Sequence, residues 1–182
     1  MIQHILITGG TAPLRTALAE RARTMGHLTT LLDGDVRDAA VLQQATSNGP
    51  FTVLVHLSAM CDAEACAGDP LTCHGLHVQG TLAVLEAARV QAVPHVLLRG
   101  LFMDGPPRSA LQVAMLAAER FAEVHAALHA QRITLVRLPE DGSLNVGEAA
   151  DRFLHLLATN GAAVFTASEG VRPGRTSGVH AE

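Results

Sequence analysis

The chain has 182 residues, is 48% hydrophobic and carries a formal net charge of −4, enough for one well-buried core and too little for two ordinary domains. That charge, with no basic cluster, argues against nucleic-acid binding, and no apolar run approaches the roughly 18 residues of a membrane span. The sequence holds no tyrosine and no lysine, all 13 of its Lys and Arg residues being arginine. Any mechanism that needs a phenol or an ammonium from this chain is excluded.

Short apolar runs alternate with helical patterns, which implies βαβ units and a parallel sheet. The pattern predicts a strand at His4–Thr8 and a helix from Pro13 to Met25, with proline in the first turn where its missing N–H costs nothing. A strand at Leu28–Leu32 follows, ending in Asp33-Gly34-Asp35, then a short helix at Asp38–Ala45. Thr52–Leu57 is a continuous apolar run, as a buried parallel strand requires. Pro70–Val90 reads as one helix with Leu76, Gly80, Val84 and Ala88 on a single face. His95–Arg99 is a strand, Pro107–Gln131 a long Ala-rich helix, and Ile133–Arg137 a strand. Val146–Thr159 is a helix and Ala163–Thr166 a last short strand. Residues 1–170 thus form one domain, and 171–182 have the composition of a disordered tail.

No basic leader or cleavage site precedes the first strand, so a cytoplasmic protein is expected. Cys61, Cys66 and Cys73, an odd number in one short region, fit reduced thiols better than a disulfide framework.

With its elements in order, the chain resembles the NAD-dependent epimerase/dehydratase family, the extended short-chain dehydrogenases/reductases. The resemblance runs from residue 3 to about 168. It rests on "ILITGGTAPLRTAL" as the glycine turn, "LLDGDVRDAAVLQQA" as the Gly-Asp-x-x-Asp segment and "VLVHLSA" as the fourth strand. "DPLTCHGLHVQGTLAVLEAARVQAVPHVLL" and "RITLVRLP" complete it. The resemblance implies a three-layer, Rossmann-like parallel sheet with helices on both faces. Asp33 and Gly34-Asp35 are adjacent where the family has a helix and part of a strand, so about one βα unit is missing. The C-terminal substrate lobe is expected to be largely absent.

The resemblance also implies site residues. Gly9 and Gly10 keep the tight half of a turn whose N–H groups face a pyrophosphate, while Ala12 and Arg15 stand where glycines are usual. Arg15 either substitutes charge for lost backbone contacts or fills a site released from its task. Asp33 stands where a carboxylate binds the ribose of NAD, or else belongs to the turn made by the deletion. Asp35 and Val36 resemble an adenine-edge contact, and Leu57, Ser58 and Ala59 are expected to line the cleft. NAD is the cofactor implied, its binding in doubt.

Catalysis is where the family pattern breaks. The Tyr-x-x-x-Lys pair aligns with Leu111 and Met115, the strand-end serine falls near Gly100, and the Asn before Gly-Thr is His77. Losing a positioned general acid/base costs about 10²–10⁴-fold. An atypical family member without ordinary hydride transfer is therefore expected, a nucleotide-binding or regulatory pseudoenzyme. Two alternatives stand beside it. One is an enzyme of isomerisation, dehydration or cyclisation of a small metabolite, using His77, Asp104 and Arg99. The other is a partner-binding subunit.

Cys61, Cys66, Cys73, His74 and His77 invite a zinc or iron reading. Their spacings match no zinc pattern, so they are read as ordinary thiols and histidines and no metal is assigned. His125 and His129, four apart, are read as a solvated face, and Arg137 as structural. By family resemblance, helices 70–90 and 107–131 form a homodimer face. A small-molecule ligand is the other partner expected.

Overall fold

The computed structural model describes residues 1–58, 62–140 and 144–159. Five strands, β1 (His4–Thr8), β2 (Leu28–Leu31), β3 (Val53–His56), β4 (His95–Leu101) and β5 (Arg132–Leu138), form one sheet in the order β2-β1-β3-β4-β5. Every pairing is parallel. The order reverses between β1 and β3, and the crevice outside the carboxyl ends of such a pair is where open α/β sheets bind ligands.

Seven helices flank the sheet: α1 (Ala12–Thr24), α2 (Ala39–Ser47), α3 (Ala63–Gly68), α4 (Pro70–His74), α5 (Gly80–Val90), α6 (Ala110–His129) and α7 (Val146–Ala158). Leu14, Leu18, Phe153 and Leu154 from α1 and α7 pack on Ile5, Ile7, Val53, Val55 and Leu97. Leu42, Val84, Leu85 and Ala122 from α2, α5 and α6 cover the other face through Leu6, Leu54, Val96 and Leu98. The three-layer architecture expected from the sequence is present. Among the described residues the sheet ends at β5 and no second lobe follows. The expected strand 163–166 and the tail 171–182 lie outside the described residues.

Capping explains the helix boundaries. Asp38, Asp62, Asp69 and Ser109 each accept a hydrogen bond from a first-turn N–H of α2, α3, α4 and α6. Asn145 and Glu148 form a capping box on α7, so these starts are fixed by local side-chain chemistry. Ser109 sets α6 three residues later than the apolar pattern alone suggested. The segment before Pro70, to which the sequence pattern assigned no element, contains α3. The expected single helix 70–90 opens into a π turn over Gly75–Gln79, a local widening that recurs at functional sites.

One buried ion pair ties α6 to the ends of β4 and β5. Glu119 is 4% exposed. Its Oε1 accepts the Leu101 N–H at 3.1 Å, and its Oε2 accepts Arg137 Nη2 at 2.6 Å and Nε at 3.0 Å. A Cβ on Gly100 would lie 2.5 Å from Glu119 Oε1, so the carboxylate requires glycine there. Arg137 is structural, as read from the sequence.

Breaking a buried pair by deleting one partner costs about 3–5 kcal/mol. Glu119→Ala is expected to lower unfolding free energy by roughly 3 kcal/mol in urea titration. A loss near the ~1 kcal/mol of a surface pair would show that the carboxylate is dispensable.

Candidate functional site

The glycine turn follows β1. Gly9 and Gly10 have φ of +66° and +78°, a region glycine enters freely and other residues rarely do. Space demands glycine as well. A Cβ on Gly10 would meet Leu57 Cβ at 2.6 Å, and one on Gly9 would meet the Ser58 backbone at 3.2 Å. The turn therefore lies directly on the end of β3, and the Gly10 N–H donates to the Ser58 carbonyl. Ser58 itself has φ of +59°, unusual for a residue with a side chain.

Beneath the turn is a buried polar cluster. Thr8 Oγ1 lies 2.9 Å from His56 Nδ1, and Ser58 Oγ lies 2.6 Å from His77 Nδ1. His77 is 0% exposed and Ser58 2%. Leu57 is also fully buried. Leu57 and Ser58, expected on the cleft wall, instead support the turn from below, because the glycines press onto them. Ala59 lies outside the described residues.

The cleft above the turn has a volume of about 320 Å³ and is lined by Gly10, Thr11, Leu14, Arg99, Leu138 and Glu140 among others. It opens at the α1 N-terminus, where no side chain hydrogen-bonds to the first turn at Thr11 and Pro13 sits in that turn. Proline has no N–H, so the helix offers one donor fewer to an anion than an ordinary first turn. Ala12 begins α1.

Arg15 does not enter the cleft as a lone cation. Its Nη2 lies 2.6 Å from Asp33 Oδ1, with the Arg15 side chain 21% exposed and that of Asp33 88%. Asp35 forms a bidentate pair with its neighbour Arg37, which also holds its carboxyl below the usual carboxylate range. Val36 is buried in the core.

His77, Asp104 and Arg99 are not gathered at one place. Arg99 lines the cleft, His77 is buried under Ser58, and Asp104 is exposed after β4. Leu111 and Met115, where the family places its acid/base and activator, are each 3% exposed and pack with Leu101, Ala114, Cys66 and Cys73. No polar group from these two positions reaches the cleft.

Two sequence readings are corrected here. Cys66 and Cys73, expected as reduced thiols, form a disulfide with a Cα–Cα distance of 5.1 Å, within the range that bridging requires. Only Asp69 separates α3 from α4, so the chain folds back and brings the two sulfurs together. His77 joins this pair, one ligand atom of each of the three lying within 4.8 Å of the others. His74 is exposed, and Cys61 lies outside the described residues. His125, read as part of a solvated face, is turned inward at 9% exposure; its ring centroid is 4.6 Å from that of His129, and Glu86 Oε2 is 3.6 Å from its Nε2.

Glu119 and His56 were not singled out from the sequence. Glu119 carried a signal, an acid four residues after Met115 on the apolar face of α6. His56 carried one too, an imidazole inside an otherwise apolar strand.

The fold and turn define a Rossmann-like α/β domain with a glycine turn at its switch point. The profile of the NAD dependent epimerase/dehydratase family matches residues 5–100, and the chain belongs to that family. No curated protein matches it by sequence. Among solved structures, UDP-glucose 4-epimerase from Thermotoga maritima, with UDP-glucose, superposes with a TM-score of 0.69 at 15% identity, covering 74% of this chain and 54% of that one. The Thermus thermophilus UDP-glucose 4-epimerase, in complex with NAD, gives 0.66 at 19% identity, covering 74% and 54%. The Brucella ovis enzyme with NAD gives 0.68 at 17% identity, covering 74% and 51%. The chain thus spans about half the length of these structures, and such identities establish the fold alone.

The cluster makes stability pH-dependent. Burial, and then the proximity of His77, hold His56 at about 4. Burial, and then Arg132, hold His95 at about 4 as well. Both are therefore neutral in the folded chain and protonate in the unfolded one below about 6.5. The unfolded state then binds more protons, so stability falls as pH drops from about 6.5 towards 4 and is fully present above that window. His56 alone accounts for roughly 3 kcal/mol across it. Denaturant midpoints measured from pH 7.5 to 4 should decline steadily, and His56→Leu should flatten the slope while lowering stability at neutral pH. An unchanged slope in that variant would remove His56 as a cause.

Proposed function

We propose that this chain is a nucleotide-binding, regulatory member of the epimerase/dehydratase family that performs no ordinary hydride transfer. One observation carries the reading: the two positions that would move the proton and lower its donor's pKa are Leu111 and Met115, sealed in an apolar cluster. NAD, where bound, supplies a hydride acceptor, but the chain offers no acid/base at those positions to match it.

The residues fit the phosphate and ribose of a nucleotide better than its redox use. Gly9 and Gly10 hold the turn open, the α1 N-terminus carries no side-chain cap, and Arg99 brings a cation to the cleft wall. Asp33 is accessible to a ribose. Its ion pair with Arg15 is mostly solvent-exposed on the carboxylate side, and exposed pairs are worth about 0–1 kcal/mol, so a ligand displaces it at small cost. A carboxylate at the ribose edge favours NAD over the 2′-phosphorylated form. The alternative of isomerisation, dehydration or cyclisation is the weaker one, because His77 has no exposed surface.

Calorimetric titration with NAD⁺, NADH, NADP⁺ and NADPH tests the reading. Binding in the micromolar range, lost in Asp33→Ala and without turnover of alcohol or ketone substrates, is expected. A thermal midpoint unmoved at millimolar nucleotide sinks it; a preference for the phosphorylated forms would transfer the ribose edge to Arg15.

We further propose a homodimer through α5 and α6. Val113, Phe121, Val124 and Leu128 on α6 are between 48% and 73% exposed, a long apolar stripe for one surface helix. Phe121→Arg with Leu128→Glu is expected to halve the mass seen by sedimentation without unfolding the chain. An unchanged mass would place the interface elsewhere or show a monomer.

A further inference from the structure

We propose that Cys66, Cys73 and His77 form a metal site that binds one zinc ion when the two cysteines are reduced. The geometry comes first. One ligand atom from each residue lies within 4.8 Å of the other two, and all three residues are buried. A tetrahedral zinc site takes its ligands at about 2.0–2.3 Å from the metal, and atoms this close reach that shell by side-chain rotation. Two thiolates and an imidazole are a donor set that suits zinc.

The surroundings support the ligands. Cys66 rides on α3 and Cys73 on α4, and both helix starts are fixed by aspartate caps, Asp62 and Asp69. The π turn over Gly75–Gln79 carries His77. Ser58 Oγ lies 2.6 Å from His77 Nδ1. In the zinc form that nitrogen donates to Ser58, which leaves the Nε2 lone pair for the metal. Metal-bound histidines almost always make such an outer hydrogen bond, which fixes tautomer and ring orientation. Leu101, Leu111, Ala114 and Met115 surround the sulfurs, an apolar shell that keeps water from competing.

The site is controlled by oxidation, since the same two sulfurs bond either to each other or to the metal. A dithiol reductant supplies two electrons and two protons; its own sulfurs become a disulfide, and the Cys66–Cys73 bond opens to two thiols. Zinc then displaces both thiol protons to solvent and is held by two thiolates and neutral His77, with one coordination position left open. Zinc binding at these residues requires no bound nucleotide.

The test uses the full chain, reduced with dithiol without oxygen, desalted, and titrated with Zn²⁺ or with Co²⁺ as a spectroscopic probe. One equivalent of zinc retained after gel filtration is expected, with sulfur-to-cobalt charge-transfer absorption and a raised thermal midpoint. The oxidised chain should retain none. Cys66→Ser, Cys73→Ser and His77→Ala should each weaken binding at least tenfold, His74→Ala should leave it unchanged, and Ser58→Ala should cost about 10–100-fold. Circular dichroism checks each variant for folding. If the reduced chain unfolds and zinc restores it, the proposal stands. It is overturned if the reduced chain, folded or not, takes up no zinc, if the oxidised form binds equally, or if the Cys66→Ser/Cys73→Ser double variant retains the metal.

Discussion

Ser58 sits in a left-handed backbone conformation at the end of β3, and three parts of the molecule meet on it. Its carbonyl accepts the Gly10 N–H, its backbone lies 3.2 Å from where a Cβ on Gly9 would stand, and its hydroxyl lies 2.6 Å from His77 Nδ1. Left-handed geometry costs a residue with a Cβ roughly 1–2 kcal/mol, and it persists because the surroundings over-determine it. The glycine turn above cannot take its shape without this floor. The helical stretch carrying His77 is anchored by the same side chain. A change at Ser58 therefore acts on the turn, on the buried histidines and on the cysteine pair together.

That constraint separates what the domain has kept from what it has lost. The turn and its support are intact down to the packing of Leu57 against Gly10. Leu111 and Met115, by contrast, are packed inward with Leu101 and the cysteine pair. Apolar burial at these two positions stabilises the fold by about 1.5–3 kcal/mol per side chain, a gain that a tyrosine hydroxyl and a lysine ammonium at the cleft could not give. The cleft itself is lined by Gly10, Thr11, Arg99 and Glu140 together with apolar side chains.

The sheet, the order of its elements and the two-faced core were legible because apolar periodicity and the family's motifs report burial directly. The strands predicted at His4–Thr8 and Thr52–Leu57 lie within a residue of those found. What escaped was set by contacts between segments. Helix α3 has six residues, too few for periodicity to register, yet it delivers Cys66 to Cys73. The π turn shares its apolar face with an ordinary helix and so leaves no mark in the pattern. Glu119 read as one charge on an Ala-rich helix, and only the Leu101 N–H and Arg137 explain why it is buried. Leu57 and Ser58 were placed on the wall because the family motif gives their position along the chain, not the side from which the turn presses on them.

The ion pairs Glu119–Arg137 and Arg15–Asp33 differ in how readily each can open. Glu119–Arg137 is buried at its carboxylate and shared with a backbone N–H, so its rupture strands a charge in a low-dielectric interior. Arg15–Asp33 joins α1 to the end of β2 with an almost fully exposed carboxylate, where water replaces either partner at little cost. The α6–β5 side is therefore a fixed strut, and the α1–β2 side is a latch. Arg15, the largest departure from the family's glycine turn, is held by Asp33. Its effect on binding is set by what competes for that carboxylate.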